Sequence, residues 1–164
     1  MRAARALLLW LALGACAPAP QEAFELPLRN PTVPIGAISR FDLGAFAGDW
    51  QVRESAGGAW ILTRFSVDAD SMDWREVCGA GPAHGRINLR APGILRVTYE
   101  DGVQRDIWVV WIDPDHRTAA LGTPEGDFGF VVTRTDSVRR DQVTAARQVL
   151  DFNGYRTDTW NKVQ

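Results

Sequence analysis

The chain has 164 residues, of which 46% are hydrophobic, and its 18 basic and 20 acidic side chains give a net charge of −2. This length suits one compact domain, and the near-neutral charge without a basic patch argues against a nucleic-acid partner. The sequence shows no internal repeat and no second domain.

The first 15 residues have the pattern of an export signal. Two arginines precede an apolar stretch at residues 6–13 that is too short to span a bilayer. The next residues, Leu13-Gly14-Ala15-Cys16, resemble the bacterial lipobox, in which the cysteine is lipidated and becomes the first mature residue. The resemblance implies a diacylglycerol on Cys16, and Ala17 implies sorting to the outer membrane, with the domain facing the periplasm. The alternative is an ordinary cleaved signal peptide in which Cys16 has no special role.

The mature chain divides into a linker and a domain. Removal of residues 1–15 takes away two basic residues and no acidic ones, so 16 basic against 20 acidic residues give a net charge of −4. Residues 16–40 contain five prolines and predict an extended tether between the lipid and the folded part. Residues 41–164 are predicted to form the single domain.

Short runs that alternate or are continuously apolar predict eight strands along this domain. Their connections are short and rich in Gly, Pro and Asp, as between the strands of hairpins. The sequence therefore predicts an all-β fold, an eight-stranded antiparallel up-and-down barrel. The predicted strands are Asp49–Glu54, Trp60–Asp68, Ser71–Cys78, Arg86–Arg90, Ile94–Glu100, Gln104–Ile112, Thr118–Gly122 and Asp127–Thr135.

One helix is predicted after the last strand. Val143, Ala146 and Leu150 recur at helical spacing, with Ser137 as a candidate start and Gly154 as a helix stop. The domain is therefore expected to end in a single amphipathic α-helix that covers part of the barrel.

A motif at each end of the strand series predicts how the barrel is closed. Gly48 and Trp50 open the first strand, and Arg134 closes the last. An indole stacks well under a guanidinium, so these side chains are predicted to plug one end. This pair of motifs, with eight strands and then a helix, resembles the lipocalin family. The segment at residues 111–119 is similar to a conserved block of the bacterial lipocalins, although His116 stands where that family usually has Tyr.

Alternation along the strands predicts the side chains that point into the barrel. On the fifth strand Leu95, Val97 and Tyr99 share the apolar face. The sixth strand is apolar on both faces, so either Trp108 or Trp111 is predicted to face inward, and the sequence leaves the choice open. The predicted ligand-binding residues are Phe65, Trp74, Leu95, Val97, Tyr99, Trp108, Trp111, Phe128 and Phe130.

The resemblance to lipocalins also implies a function. It implies a lipid-anchored carrier that stores or transports a small hydrophobic or amphipathic ligand, such as a fatty acid or a lysophospholipid, in the cell envelope. A small barrel can instead fill its interior with side chains, so an envelope scaffold or interaction module without ligand is the alternative. The sequence leaves the oligomeric state open.

Catalytic and metal-binding patterns are missing from the sequence. His84 and His116 lie outside metal-ligand spacing with each other and with Cys78, so neither a metal nor a cofactor is expected. Cys78 is predicted to be a small buried residue rather than a nucleophile. Asp113 and Asp115 are predicted to stabilise a turn through backbone hydrogen bonds, and the chain is not predicted to be an enzyme.

Overall fold

Each strand pairs with the next one along the chain, because short turns join them. The computed structural model describes residues 27–56, 61–134 and 138–162. The first strand also pairs with the eighth, which closes the series into a barrel and confirms the predicted antiparallel up-and-down fold. The strands of the barrel are β1 (Gly48–Ser55), β2 (Leu62–Asp68), β3 (Asp73–Cys78), β4 (Gly81–Ala91), β5 (Ile94–Tyr99), β6 (Gln104–Ile112), β7 (Thr118–Gly122) and β8 (Gly129–Thr133).

The largest difference from the predicted strand bounds is at the start of β4. The Gly/Pro-rich run at residues 79–82 is predicted as a turn, whereas β4 begins at Gly81. Cys78 pairs directly with Gly81, so the hairpin between β3 and β4 is tight and Pro82 lies within the strand. A short strand that was not predicted, β9 (Asn161–Lys162), adds to β1.

The described part of the chain contains two α-helices beside the barrel. α1 (Leu43–Phe46) is a single turn before β1, with the Asp42 carboxylate accepting hydrogen bonds from two backbone N–H groups at its start. α2 (Arg140–Phe152) is the predicted C-terminal helix. It begins after Arg139 rather than at Ser137, which lies outside the described residues. In the described ranges, no helix is both long and apolar enough to cross a membrane.

The hydrophobic side chains form one cluster inside the barrel and another between the barrel and α2. The register of β6 shifts between Val109 and Trp111, so one extra residue, Val110, lies in a β-bulge. The bulge places Val110 and Trp111 on the same side, under α2 with Trp108. The prediction that one of the two tryptophans faces the interior is therefore wrong, because alternation alone does not account for a bulge.

Residues 27–38 form a strap across the outside of the barrel. Arg29 is 2% exposed and donates hydrogen bonds to the carbonyls of Asn153 (2.8 Å), Pro124 (2.7 Å) and Val33. Farther along, the Ile38 N–H donates to the Val109 carbonyl at 2.9 Å. The described part of the predicted tether is thus folded onto the barrel, while residues 16–26, including Cys16, lie outside the described residues.

Candidate functional site

One end of the barrel is closed by the pair of side chains that the sequence predicts. The Arg134 guanidinium lies over the Trp50 ring, 4.1 Å from its centroid. Gly48 has a φ of +101°, and a Cβ there would lie 2.8 Å from an Arg134 nitrogen, so a side chain at this position would displace the arginine. The Trp50 Nε1–H donates to the Phe46 carbonyl at 2.8 Å, which ties α1 across the end.

Backbone carbonyls surround the guanidinium of Arg134. It donates to the carbonyls of Ala47 (2.7 Å), Ala45 (3.0 Å), Phe46 (3.3 Å) and His116 (3.1 Å). The guanidinium and these carbonyls at the closed end are hydrogen-bonded to one another. Trp50 and Phe46 beside them are fully buried. A ligand would have to enter from the opposite end of the barrel.

The middle of the barrel is packed with side chains. A void large enough for water would leave exposed surface on its lining, yet Trp74, Leu95, Val97 and Phe130 are each 0% exposed. Phe65 fills the space between two tryptophans and stacks on Trp74 with ring centroids 4.3 Å apart. These predicted ligand-binding residues therefore contribute to the core in this structure.

The open end carries a cavity of about 500 Å³, called here the mouth pocket. It lies between the β3–β4 and β5–β6 hairpins, beside the end of the β1–β2 connection. Its apolar wall includes Ile61 and Val103, which are 65% and 46% exposed. Its lining residues are Ile61, Glu76, Cys78, Gly79, Ala80, Pro82, Ala83, His84, Tyr99, Glu100, Asp101, Val103 and Arg105.

A buried carboxylate lies at the inner side of the mouth pocket. Glu76 is 5% exposed, and one of its oxygens accepts hydrogen bonds from the Trp74 Nε1–H (2.7 Å) and the Tyr99 hydroxyl (2.8 Å). The Arg105 guanidinium lies over the Tyr99 ring, 6.0 Å from its centroid. Burial, reinforced by the negative charge of Glu76, raises the pKa of the Tyr99 hydroxyl, which therefore stays protonated as a donor.

Among the predicted ligand-binding residues, Tyr99 is the one that lines the mouth pocket. Sequence reasoning missed Glu76 and Arg105. Period-two alternation places Glu76 on the same face as Trp74, and Arg105 on the same face as Ile107. The sequence pattern therefore indicates that both charged side chains lie on the inward face. It was overlooked because charged side chains on a strand are expected to point toward solvent.

A larger groove of about 770 Å³ lies near the outer face of β1–β4, and its lining combines apolar side chains such as Phe65 and Val77 with charged ones such as Asp73 and Arg75. The largely buried Asp73 carboxylate is bridged by the more exposed side chains of Arg75 (3.4 Å), Arg86 (3.2 Å) and His84 (3.5 Å). Charges that satisfy one another in water offer little affinity for an apolar ligand. The mouth pocket is therefore the better candidate site.

The remaining polar residues singled out from the sequence have local roles. The Cys78 thiol is half-buried and donates to the Gly81 carbonyl at 3.2 Å, within the β3–β4 hairpin. Asp113 is 1% exposed and accepts hydrogen bonds from the backbone N–H groups of Asp115 (3.1 Å) and Arg117 (2.7 Å), as expected of a turn carboxylate. Within the described part of the chain, no cluster of three metal-ligating side chains is present.

Comparisons with known proteins agree with this architecture. The profile of the lipocalin-like domain matches residues 61–164. Insecticyanin from the tobacco hornworm Manduca sexta superposes with a TM-score of 0.61 at 12% identity, over 80% of this chain and 84% of that protein. Lobster apocrustacyanin A1 gives 0.57 at 15% identity, over 80% and 89%.

A third similar structure is the tryptamine complex of the amine-binding protein of Rhodnius prolixus, with a TM-score of 0.50 at 16% identity, over 79% and 84% of the two chains. At such low identities the structural likeness establishes the fold alone. No curated protein matches the sequence significantly.

Proposed function

The chain belongs to the lipocalin-like domain family, and on that premise we propose that it binds one small amphipathic molecule at the open end of its barrel. The observation that carries the proposal is the mouth pocket, a cavity of about 500 Å³ that combines an apolar rim with a few convergent polar groups. Binding sites for small molecules commonly have this size and composition.

The exposed apolar residues of the rim supply the driving force. Ile61 and Val103 are two of five large hydrophobic side chains exposed in the described ranges, and both line the mouth pocket. A ligand that covers them removes apolar surface from water, which contributes about 25 cal/mol for each Å² buried. The ligand therefore gains affinity at the rim without having to enter the packed middle of the barrel.

Packing in the middle of the barrel limits the size of the ligand. The fatty acid or lysophospholipid implied by the sequence resemblance would need side chains such as Phe130 to move if its tail entered fully. A ligand with a short chain or a single ring needs no such movement. Tryptamine, bound by the similar protein from Rhodnius prolixus, is a molecule of this size class.

The proposal includes a lipid anchor on Cys16 and a place at the bacterial outer membrane, on the periplasmic side. The strap supports an orientation in which the open end of the barrel is nearer the membrane, because Arg29 donates a hydrogen bond to the Pro124 carbonyl in the β7–β8 loop at that end. Residues 17–26 extend over at most about 35 Å. An anchor on Cys16 would therefore bring the mouth pocket close to the membrane.

A scaffold without ligand is the second candidate, and a specific observation favours it. Side chains such as Trp74, Leu95 and Phe130 leave no water-accessible surface in the middle of the barrel. A lipocalin-like domain filled in this way can act through its outer surface alone. Family membership supports a carrier or scaffold over an enzyme.

Binding of an uncharged fluorescent apolar probe, N-phenyl-1-naphthylamine, to the mature chain with Cys16→Ser distinguishes the two candidates. We expect saturable binding of one probe per chain. Val103→Trp should fill the mouth pocket and reduce the affinity at least tenfold. Leu89→Trp is the matched control, since Leu89 is 43% exposed at the other end of the barrel. Absence of saturable binding to the unaltered domain would favour the scaffold.

A further inference from the structure

The exposed hydrophobic side chains are unevenly distributed between the two ends of the barrel. Of the five large ones that are exposed in the described ranges, the two most exposed, Phe152 (85%) and Ile61 (65%), lie at the open end together with Val103. The other two, Leu89 and Val138, lie toward the closed end. Single exposed hydrophobic residues are common on protein surfaces, but a group of them at one end indicates an interaction surface.

The three side chains at the open end belong to three separate segments. Ile61 precedes β2 and Val103 lies in the β5–β6 hairpin, so both are at the rim. Phe152 ends α2 at the same end of the barrel, because the Arg29 side chain joins the carbonyl of the next residue, Asn153, to the β7–β8 loop. An extended surface can contact all three segments together, since they lie around one opening.

The described part of the chain also begins at this end. The Arg156 N–H, four residues after Phe152, donates to the Leu28 carbonyl at 3.0 Å. The ten residues from 17 to 26 extend over at most about 35 Å. A lipid on Cys16 would therefore hold the open end at a high effective concentration next to the bilayer, so a weak apolar contact is enough to orient the domain.

The charges of the open end determine the kind of bilayer that it can contact. The β5–β6 and β7–β8 loops carry four exposed carboxylates and no basic residue, and these carboxylates belong to Glu100, Asp101, Glu125 and Asp127. They would be repelled by a surface of anionic lipids, whose negative potential attracts basic segments instead. A bilayer of zwitterionic lipids has no net charge, so contact with it depends on the apolar side chains.

We propose that the open end of the barrel contacts a zwitterionic lipid bilayer through Ile61, Val103 and Phe152. This inference rests on the lipid anchor of the proposed function, which holds the domain at the membrane but does not determine the side chains that touch it. The contact places the mouth pocket against the bilayer, because Ile61 and Val103 belong to its wall. An apolar ligand then passes between lipid and pocket with little exposure to water.

Quenching of tryptophan fluorescence by lipid that carries a nitroxide on its acyl chain tests which end touches the bilayer. The lipidated chain is reconstituted in phosphatidylcholine vesicles, and Phe152→Trp and Leu89→Trp are each compared with the unaltered chain. The tryptophan added at position 152 should be quenched at least twofold more than the one added at position 89. Equal quenching of the two would overturn the inference.

The intact mass of the mature chain separates this inference from its premise. An unmodified Cys16 would contradict the anchor of the proposed function itself. A lipidated chain in which the two added tryptophans are quenched equally would contradict the inference alone, and would leave the anchor and the mouth pocket as proposed.

Further substitutions in the Phe152→Trp chain assign the contact to the apolar rim. Ile61→Ser together with Val103→Ser should reduce the additional quenching at least twofold, because less apolar surface is buried in the bilayer. Leu89→Ser together with Val138→Ser is the matched control, since it removes two exposed hydrophobic side chains toward the closed end. Equal reductions by the two pairs of substitutions would contradict the proposal.

Two further measurements test the partner. Replacement of half of the phosphatidylcholine by phosphatidylglycerol should lower the additional quenching in Phe152→Trp at least twofold, and unchanged or stronger quenching would contradict the preference for a zwitterionic bilayer. A second copy of the chain is the alternative occupant of this surface. If sedimentation of the Cys16→Ser chain shows a dimer that Phe152→Ser dissociates, the surface is an interface between copies and the inference is wrong.

Discussion

Both ends of the barrel place an arginine over an aromatic ring, yet only one end is closed. At the closed end Arg134 lies 4.1 Å from the centre of the Trp50 ring, and at the open end Arg105 lies 6.0 Å from that of Tyr99. The difference lies in the groups around each pair. Backbone carbonyls from α1 and two turns converge on Arg134, whereas the Tyr99 hydroxyl donates to a buried carboxylate beside a cavity.

An arginine–aromatic pair thus closes the barrel at one end, and under the proposed function a similar pair lies beside the binding site at the other. Donors and acceptors at the closed end are satisfied within the chain, so little remains for a ligand. At the open end the apolar side chains Ile61 and Val103 stay exposed next to Glu76. Removal of closed-end groups should therefore affect unfolding, and changes at the mouth pocket should affect binding.

The largest expected effect is that of Trp50→Ala at the closed end. Trp50 is 0% exposed, stacks on Phe46 with ring centroids 5.0 Å apart and supports Arg134. Truncation of a buried Trp leaves a cavity and lowers the free energy of unfolding by about 3 to 5 kcal/mol. Urea denaturation measures the loss. Trp108→Ala is the control and should be less destabilising, because Trp108 is only partly buried under α2.

Features that are set by residues close together in the sequence were predicted, whereas features that depend on pairing with another strand were not. The bounds of β6 and β7 agree with the predicted ones, because their apolar runs end at clear turn signals. The contact between Trp50 and Arg134 was also predicted correctly. Each residue lies near the end of a strand, which fixes the face of the barrel wall to which its side chain points. The prediction that either Trp108 or Trp111 faces inward was wrong, because the bulge at Val110 depends on pairing with β7.

Features that depend on contacts between distant residues could not be predicted. The strap is an example, since Arg29 is buried by carbonyls at Pro124 and Asn153 that the local sequence does not indicate. The mouth pocket is another, because Glu76 and Tyr99 meet only when β3 and β5 are brought together by the closed barrel. Alternation shows which face a residue occupies, but not whether that face is filled or hollow.

A pH titration tests how strongly Tyr155 stabilises the β7–β8 loop at the open end of the barrel. The Tyr155 hydroxyl accepts from the Thr123 N–H (2.8 Å), and its single proton is shared between the carbonyls of Phe128 (2.8 Å) and Thr123 (3.0 Å). Burial raises the pKa of Tyr155 to about 12. The folded state therefore holds the proton more tightly than the unfolded state, in which the pKa is near 10.

Stability from Tyr155 should be fully present below pH 10 and should be lost as the pH rises from 10 to 12. A two-unit shift corresponds to about 2 to 3 kcal/mol of free energy of unfolding. Urea denaturation across this range measures it. Tyr155→Phe should be less stable at neutral pH but should lose less on alkalinisation, with Tyr99 accounting for the remainder. An unchanged alkaline loss in Tyr155→Phe would contradict this assignment.

The smallest expected effects are those of replacing Arg134 or Arg105 by lysine, and the two variants test the comparison directly. Arg134→Lys keeps the positive charge but loses the planar fork that donates to several carbonyls at once, so we expect a loss of about 1 to 2 kcal/mol in the free energy of unfolding. Arg105→Lys should change it by less than about 0.5 kcal/mol, because this side chain is partly exposed and its ring contact is longer. Equal losses in the two variants would mean that the open end is held together in the same way as the closed end. A loss confined to Arg134→Lys would locate the structural role of the arginine–aromatic pair at the closed end, where the ring and the carbonyls act on one guanidinium.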